Sequence, residues 1–201
     1  MLLLVSGATK TVNKYAYHKN LGCLLTPDTG NKVPTNLPWA ADNAAFTGFN
    51  EERFMKMLNR IKGTKPLFVS CPDVVADYSK TNELFKQWEP IIHAYGYPVA
   101  YVLQDGCSNL EWDKFEAVFI GGSTEYKLGK EAREIVREAK IRGKWVHMGR
   151  VNTQQRIVYA KEIGCDSIDG TGFSMFSQTH IPWALSVLEN DQITLFDWEV
   201  L

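Results

Sequence analysis

The chain has 201 residues, 45% hydrophobic and 12% aromatic, which suits one domain burying roughly 70% of its unfolded surface and excludes a disordered polymer. Its 22 basic residues are balanced by 23 acidic ones, a net charge of −1, so no bulk attraction to nucleic acid or a membrane surface follows. The four cysteines, Cys23, Cys71, Cys107 and Cys165, form no Cys-x-x-Cys pair; they read as reduced, buried thiols of a cytoplasmic protein rather than as a zinc site.

In chain order, the run Met1-Leu2-Leu3-Leu4-Val5 is too short for a signal peptide or a membrane span and reads as a first buried strand over 2–6. Further short, nearly all-apolar strands are expected at 22–26, 38–41, 67–71, 99–103, 117–120, 145–148 and 167–169. Amphipathic helical segments lie between several of them. Residues 51–61 put Phe54, Met55, Leu58 and Ile61 on one face behind an Asn50 cap. Residues 79–95 and 129–142 follow the same period, the latter closing at Gly143, and 153–163 ends at Gly164. The connection from Thr26 to Pro38, rich in Pro, Gly and Asn, has little helical character.

Strand–helix alternation implies right-handed βαβ units, and eight strands predict a compact TIM-like (β/α)8 barrel formed by a single domain over 1–201. An open doubly wound sheet is the alternative. No G-x-G-x-x-G or P-loop sequence is present, which speaks against a nucleotide cofactor, and no cofactor or metal is expected.

In such a barrel the strand C-termini share one face, where active sites form. Six strand ends here carry polar or glycine clusters, three of them with carboxylates that suit chemistry, so the chain reads as an enzyme. Asp42 and Asp169, at two strand ends, suit glycosyl chemistry, one attacking the anomeric carbon and the other moving protons. Asp73 and Gln104 can read the Watson–Crick edge of a purine, beside backbone N–H groups at Gly121 and Gly122. Phe46 and Met148 could sandwich a flat ring, with Asn43 nearby in the substrate region. Lys127, Arg150 and Arg156 lie just past strand ends, in reach of nucleic-acid phosphates. His147 reads as a buried, hydrogen-bonded histidine, and Asp166 as structural.

Five ordered motifs between Trp39 and Thr171 resemble those of the queuine and archaeosine tRNA-guanine transglycosylase superfamily. They are similar most closely to its short branch, the deazapurine DNA transglycosylases of phages and bacteria. Asp42-Asn43-Ala44-Ala45-Phe46 is similar to Asp-Ser-Gly-Gly-Phe, with two alanines in place of the glycines. Gln104-Asp105-Gly106 resembles Gln-Gly-Gly, the segment from Ile120 to Glu125 resembles Gly-Gly-Leu-Ala, and His147-Met148-Gly149-Arg150 resembles Leu-Met-Gly-Val. The segment from Gly164 to Asp169 is similar to the block that carries the nucleophile.

The resemblance implies exchange of guanine for a 7-deazaguanine such as preQ0 or preQ1. Asp169 would be the nucleophile, Asp42 the general acid/base, and a flipped-out nucleotide would fill the pocket. The family's tRNA enzymes carry a Cys-rich zinc insertion after the nucleophile. Residues 170–201 hold no cysteine and no RNA-binding domain is evident, so DNA is expected over tRNA, with an oligomer or partner protein supplying further contacts. Other readings are a nucleoside hydrolase or small-molecule N-glycosidase, active on free nucleosides, and a non-catalytic binder of deazapurines or nucleic acid.

Overall fold

Eight short parallel strands close into one barrel in the computed structural model, which describes residues 1–190. They are β1 (Leu2–Val5), β2 (Leu21–Leu25), β3 (Trp39–Ala41), β4 (Val69–Ser70), β5 (Val99–Leu103), β6 (Ala117–Ile120), β7 (Trp145–Met148) and β8 (Ser167–Ile168). Each pairs with the next, and β8 returns to β1 with Ser167 opposite Leu2 and Ile168 opposite Leu3. The fold is thus the TIM-like (β/α)8 barrel, not the open sheet. The expected strands at 99–103, 117–120 and 145–148 match residue for residue. The one expected at 67–71 narrows to two residues, because β3 meets it only at Ala41 opposite Val69. The expected single domain ran to Leu201; its last stretch, 191–201, lies outside the described residues.

The helices are α1 (Thr9–Lys14), α2 (Glu51–Arg60), α3 (Tyr78–Ala94), α4 (Thr124–Leu128), α5 (Lys130–Ile141), α6 (Gln154–Glu162), α7 (Thr171–Met175) and α8 (Ser177–Glu189). Side chains cap the starts of α2, α3, α4 and α6. Asn50 accepts from the Arg53 amide, Asp77 from Lys80, Ser123 from Tyr126 and Thr153 from Arg156, each satisfying an otherwise unpaired N–H. No helix joins β2 to β3, and β5 reaches β6 through one 3-10 turn, Trp112–Lys114. The ring closes where α8 packs against α1 and α6.

Side-chain parity divides the core into two layers. Leu4, Leu24, Ala40, Phe68, Ala100 and Ala117, with Phe119 and Trp145, fill the barrel interior. Leu3, Val5, Val69, Val118, Val146, Met148 and Ile168 point the other way, into the layer shared with the helices. In that layer Phe49, Phe54 and Trp88 meet edge-on at 5.3 to 5.6 Å and fasten α2 to α3. Full burial of each such ring contributes about 1.5–3 kcal/mol. Parity also sets the mouth. Ala40, Phe68, Val102, Phe119, His147 and Ser167 point inward, so the residues two positions on, at or just past the strand ends, open upward together.

Candidate active site

Those upward-facing positions are Asp42, Ser70, Gln104, Gly121, Gly149 and Asp169, all but Ser70 on the wall of a cavity of about 510 Å³ at the C-terminal end of the barrel. Asp73 and Phe46 line it from the segments after β4 and β3, Lys127 from α4 and Arg150 from the loop after β7.

Asp42 and Asp169 share this space. Asp42 Oδ1 accepts from the Ser70 hydroxyl at 2.9 Å, and Oδ2 from the Ala44 amide at 3.3 Å. Burial pushes the Asp42 carboxyl above the usual range, and the negative charge of Asp169 pushes it further. Asp169 Oδ1 lies 3.2 Å from His147 Nε2 and accepts the Arg150 backbone N–H at 3.2 Å.

A second cluster sits beside Asp42. Asn43 donates to Asp73 Oδ1 at 2.8 Å, and Gln104 donates to Oδ2 at 2.6 Å. Gln104 Oε1 in turn accepts the Ala76 amide at 2.8 Å, which fixes which end of the side chain is nitrogen. Burial, offset in part by these donors, brings Asp73 up to about 7. Asn43 braces rather than reaches. Its second amide hydrogen goes to the Cys71 carbonyl at 2.5 Å, and its oxygen accepts the Ala45 amide at 2.6 Å. Asn43 lines the cavity, with both side-chain amide hydrogens held by the protein and its oxygen accepting one hydrogen bond.

The far wall is built from backbone. A Cβ on Gly121 would lie 2.7 Å from the Leu103 carbonyl and 2.8 Å from Gln104 Nε2, so only glycine lets the turn approach the amide. Gly122 adopts φ +74, and a Cβ there would lie 2.6 Å from Asp105 Oδ2. Asp105 holds the turn by accepting the Ser123 amide at 2.8 Å and its hydroxyl at 2.5 Å. Burial opposes the Asp105 charge, but these donors prevail and keep the carboxyl below its ordinary range.

The basic residues differ in their use. Arg150 has a left-handed backbone, φ 59; its guanidinium donates to the Gly122 carbonyl and lies over the Phe46 ring, 4.8 Å from the centroid. Phe46 itself is 68% exposed on the rim. Lys127, expected to reach outward to phosphate, is turned inward instead and is only 6% exposed. Its Nζ donates to the Gly149 carbonyl at 2.7 Å, and burial, then the nearby Arg150, lowers it to about 7. Arg156 stands behind, 3.4 Å from both the Arg150 carbonyl and Thr124 Oγ1.

Met148 corrects the sequence reading. It is 1% exposed and belongs to the layer between sheet and helices, not to the cavity, because it pairs with outward-facing Ile168 in the ladder. A ring seated here meets Phe46 from one side without Met148 on the other. The roles of Ser70, Asp105 and the Arg150 amide escaped the sequence reading. The strand-parity rule, applied along β4, points Ser70 at Asp42. Asp166 is a structural anchor: Lys140 holds it at 2.6 and 2.7 Å, and it accepts the Val146 amide.

Among the described residues, no group of three or more His, Cys, Asp or Glu side chains is placed to hold a metal ion, and no helix is long and apolar enough to cross a membrane. The cysteines are unpaired with one another; Cys71, Cys107 and Cys165 are buried and Cys23 is half-buried.

No protein-family model and no curated protein matches the chain. Among solved structures it is similar to a mutant tryptophan synthase alpha-subunit from the hyperthermophile Pyrococcus furiosus, with a TM-score of 0.55 and 13% identity over 98% of this chain and 97% of that one. At that identity the likeness is one of fold alone.

Proposed function

We propose that the protein exchanges guanine in DNA for a 7-deazaguanine base through a covalent glycosyl-aspartate. The observation that carries this reading is the joint presence, around one cavity, of Asp42 and Asp169 with the Asp73–Gln104 pair. Two carboxylates serve attack and proton transfer at an anomeric carbon, and a carboxylate joined to an amide suits the polar edge of guanine. The ordered motifs resembling the guanine transglycosylases support the same assignment.

In this scheme Asp169 attacks C1′ of a flipped-out nucleotide as the bond to the base nitrogen breaks. The electron pair leaves with guanine, whose nitrogen takes a proton from Asp42. A carboxyl whose affinity for the proton is raised by burial suits that donation. The incoming deazaguanine then returns its own proton to Asp42 and displaces the carboxylate. Asp73 accepts from the base N1–H and exocyclic amine, and the Gln104 amide donates to O6. Phe46 covers the ring face. Arg150 and Arg156 meet the phosphates, and a second copy or partner protein extends the contact to the polynucleotide.

Incubation with guanine-labelled DNA and, separately, tRNA, each with preQ0 or preQ1, tests the proposal. Release of guanine from DNA supports it. Release from tRNA alone transfers the activity to RNA, and release from free nucleosides alone makes the protein a nucleoside hydrolase. Loss of a trapped protein–DNA adduct in Asp169→Asn supports the nucleophile, whereas persistence moves that role to Asp42.

A further inference from the structure

Beneath Asp169 a hydrogen-bonded chain descends into the barrel. His147 is fully buried, its ring 4.5 Å from that of Phe119 and 5.3 Å from that of Phe68 between centroids. One ring nitrogen, Nε2, lies 3.2 Å from Asp169 Oδ1; the other, Nδ1, lies 2.8 Å from Ser167 Oγ. Trp145 Nε1 donates to the same Oγ at 2.9 Å. These residues alternate along β7 and β8, so parity alone stacks them on the barrel axis below the cavity.

The direction of each hydrogen follows from what each group can do. An indole N–H only donates, so it occupies a lone pair of Ser167 Oγ. The Asp169 carboxylate likewise only accepts, so the hydrogen bond to it places a ring hydrogen on Nε2; a ring with that one hydrogen takes the Ser167 hydroxyl hydrogen at Nδ1. With the Arg150 amide also directed at Oδ1, that oxygen has two donors. Oδ2 accepts from no group among the described residues, and the carboxylate lines the cavity.

From this geometry we infer that the Trp145–Ser167–His147 chain is a positioning device that dedicates Asp169 Oδ1 to the protein and presents Oδ2 as the attacking atom. The inference rests on the base-exchange reading. In the first step Oδ2 bonds to C1′ as the C1′–N bond breaks, and Oδ1 becomes the carbonyl oxygen of the ester without losing either donor. In the second step Oδ2 leaves C1′ with the bonding pair, and the carboxylate returns to its starting orientation. A carboxylate free to rotate would offer either oxygen in a range of directions, and the attack geometry would be lost part of the time.

The test compares His147→Phe, which keeps an aromatic ring between Phe68 and Phe119 but has no N–H, with His147→Gln, whose amide nitrogen reaches where Nε2 stands. Single-turnover guanine release from labelled DNA is expected to fall about 10- to 100-fold in the Phe variant, the loss of one donor to a charged group. DNA affinity should change less than about threefold, since the ring lies below the cavity, and the Gln variant should recover most of the rate. Ser167→Ala serves if the Phe variant does not fold; it releases the ring hydrogen to either nitrogen and should also slow the chemical step at unchanged affinity. Nitrogen-15 histidine spectra of the wild type should show the hydrogen on Nε2, with its resonance displaced in Asp169→Ala.

A folded Phe variant with wild-type single-turnover release, or a wild-type ring protonated on Nδ1 alone, overturns the inference. If the wild type releases guanine from neither DNA nor tRNA, the functional reading fails. The spectra then decide the orientation of Asp169 by themselves, an Nε2 hydrogen sensitive to Asp169→Ala upholding it and an Nδ1 hydrogen refuting it.

Discussion

The two halves of the barrel mouth are built by opposite means. From β3 to β5 the wall is side chain: Asp42, Asn43, Ser70, Asp73 and Gln104 interlock through five hydrogen bonds of 2.6 to 3.0 Å, counting that from the Asn43 amide to the Ser70 hydroxyl and that from the Ala76 amide to Gln104. From β6 to β8 it is largely backbone, with Gly121, Gly122 and Gly149 giving room and Lys127 and Arg150 holding carbonyls in place. The first half has acids pushed upward by burial, the second a lysine pushed downward by the same cause. The contrast is between an interlocked wall of side chains on one side and shaped space beside basic side chains on the other.

Substitutions on either side test that division. The largest effect is expected for Asp169→Asn, which should lower base exchange by at least about 10⁴-fold while DNA binding persists, read by turnover against a filter-binding titration. Asp42→Asn follows, with a loss of about 10²–10⁴-fold, partly recovered with a guanine analogue whose departing nitrogen needs no proton. On the backbone side, Gly121→Ala should destabilise the fold by about 1–3 kcal/mol in urea unfolding and shrink the cavity, because the new methyl meets the Leu103 carbonyl.

A smaller effect separates the halves by pH. In the proposed reaction Asp73 must be ionised to accept from guanine, and burial brings its carboxyl up to about 7, so guanine binding should tighten as pH rises from about 6 to 8. Asp73→Asn should flatten that profile. The smallest effect lies at the opposite end of the barrel, where His93 bridges Glu89 at 2.6 Å and Glu116 at 3.0 Å. Partial burial opposes the charge, yet both carboxylates outweigh it and raise the imidazole above its usual range. Its contribution is therefore complete below about 6.5, the unfolded value, and fades as pH climbs through the folded one. Melting curves should show His93→Gln destabilised by under about 1 kcal/mol at pH 5.5 and nearly neutral at pH 8.5.

Much of the barrel is legible in the sequence because strands buried on both faces are continuous apolar runs. The runs ending at Leu103, Ile120 and Met148 needed no further information. β4 shrinks because pairing length depends on a neighbour in space, which no local pattern reports. Asp42, Asp73, Gln104 and Asp169 are legible as strand-end polar residues. Met148 is not, since its motif says only that it is near the mouth, while one step of register decides which layer it enters. The same step brings His147 beneath Asp169. Lys127 fails in a different way: a lysine in a short helix normally faces solvent, and only the Gly149 carbonyl, 22 residues away in sequence, explains its inward turn.

Phe68, Phe119 and Trp145 plug the shaft under the cavity. Traffic through the proposed reaction is consequently confined to the top, where departing and arriving purines would use a single berth in succession. Parallel lines in double-reciprocal plots, with free guanine competing against the deazapurine, are the kinetic signature of such alternation.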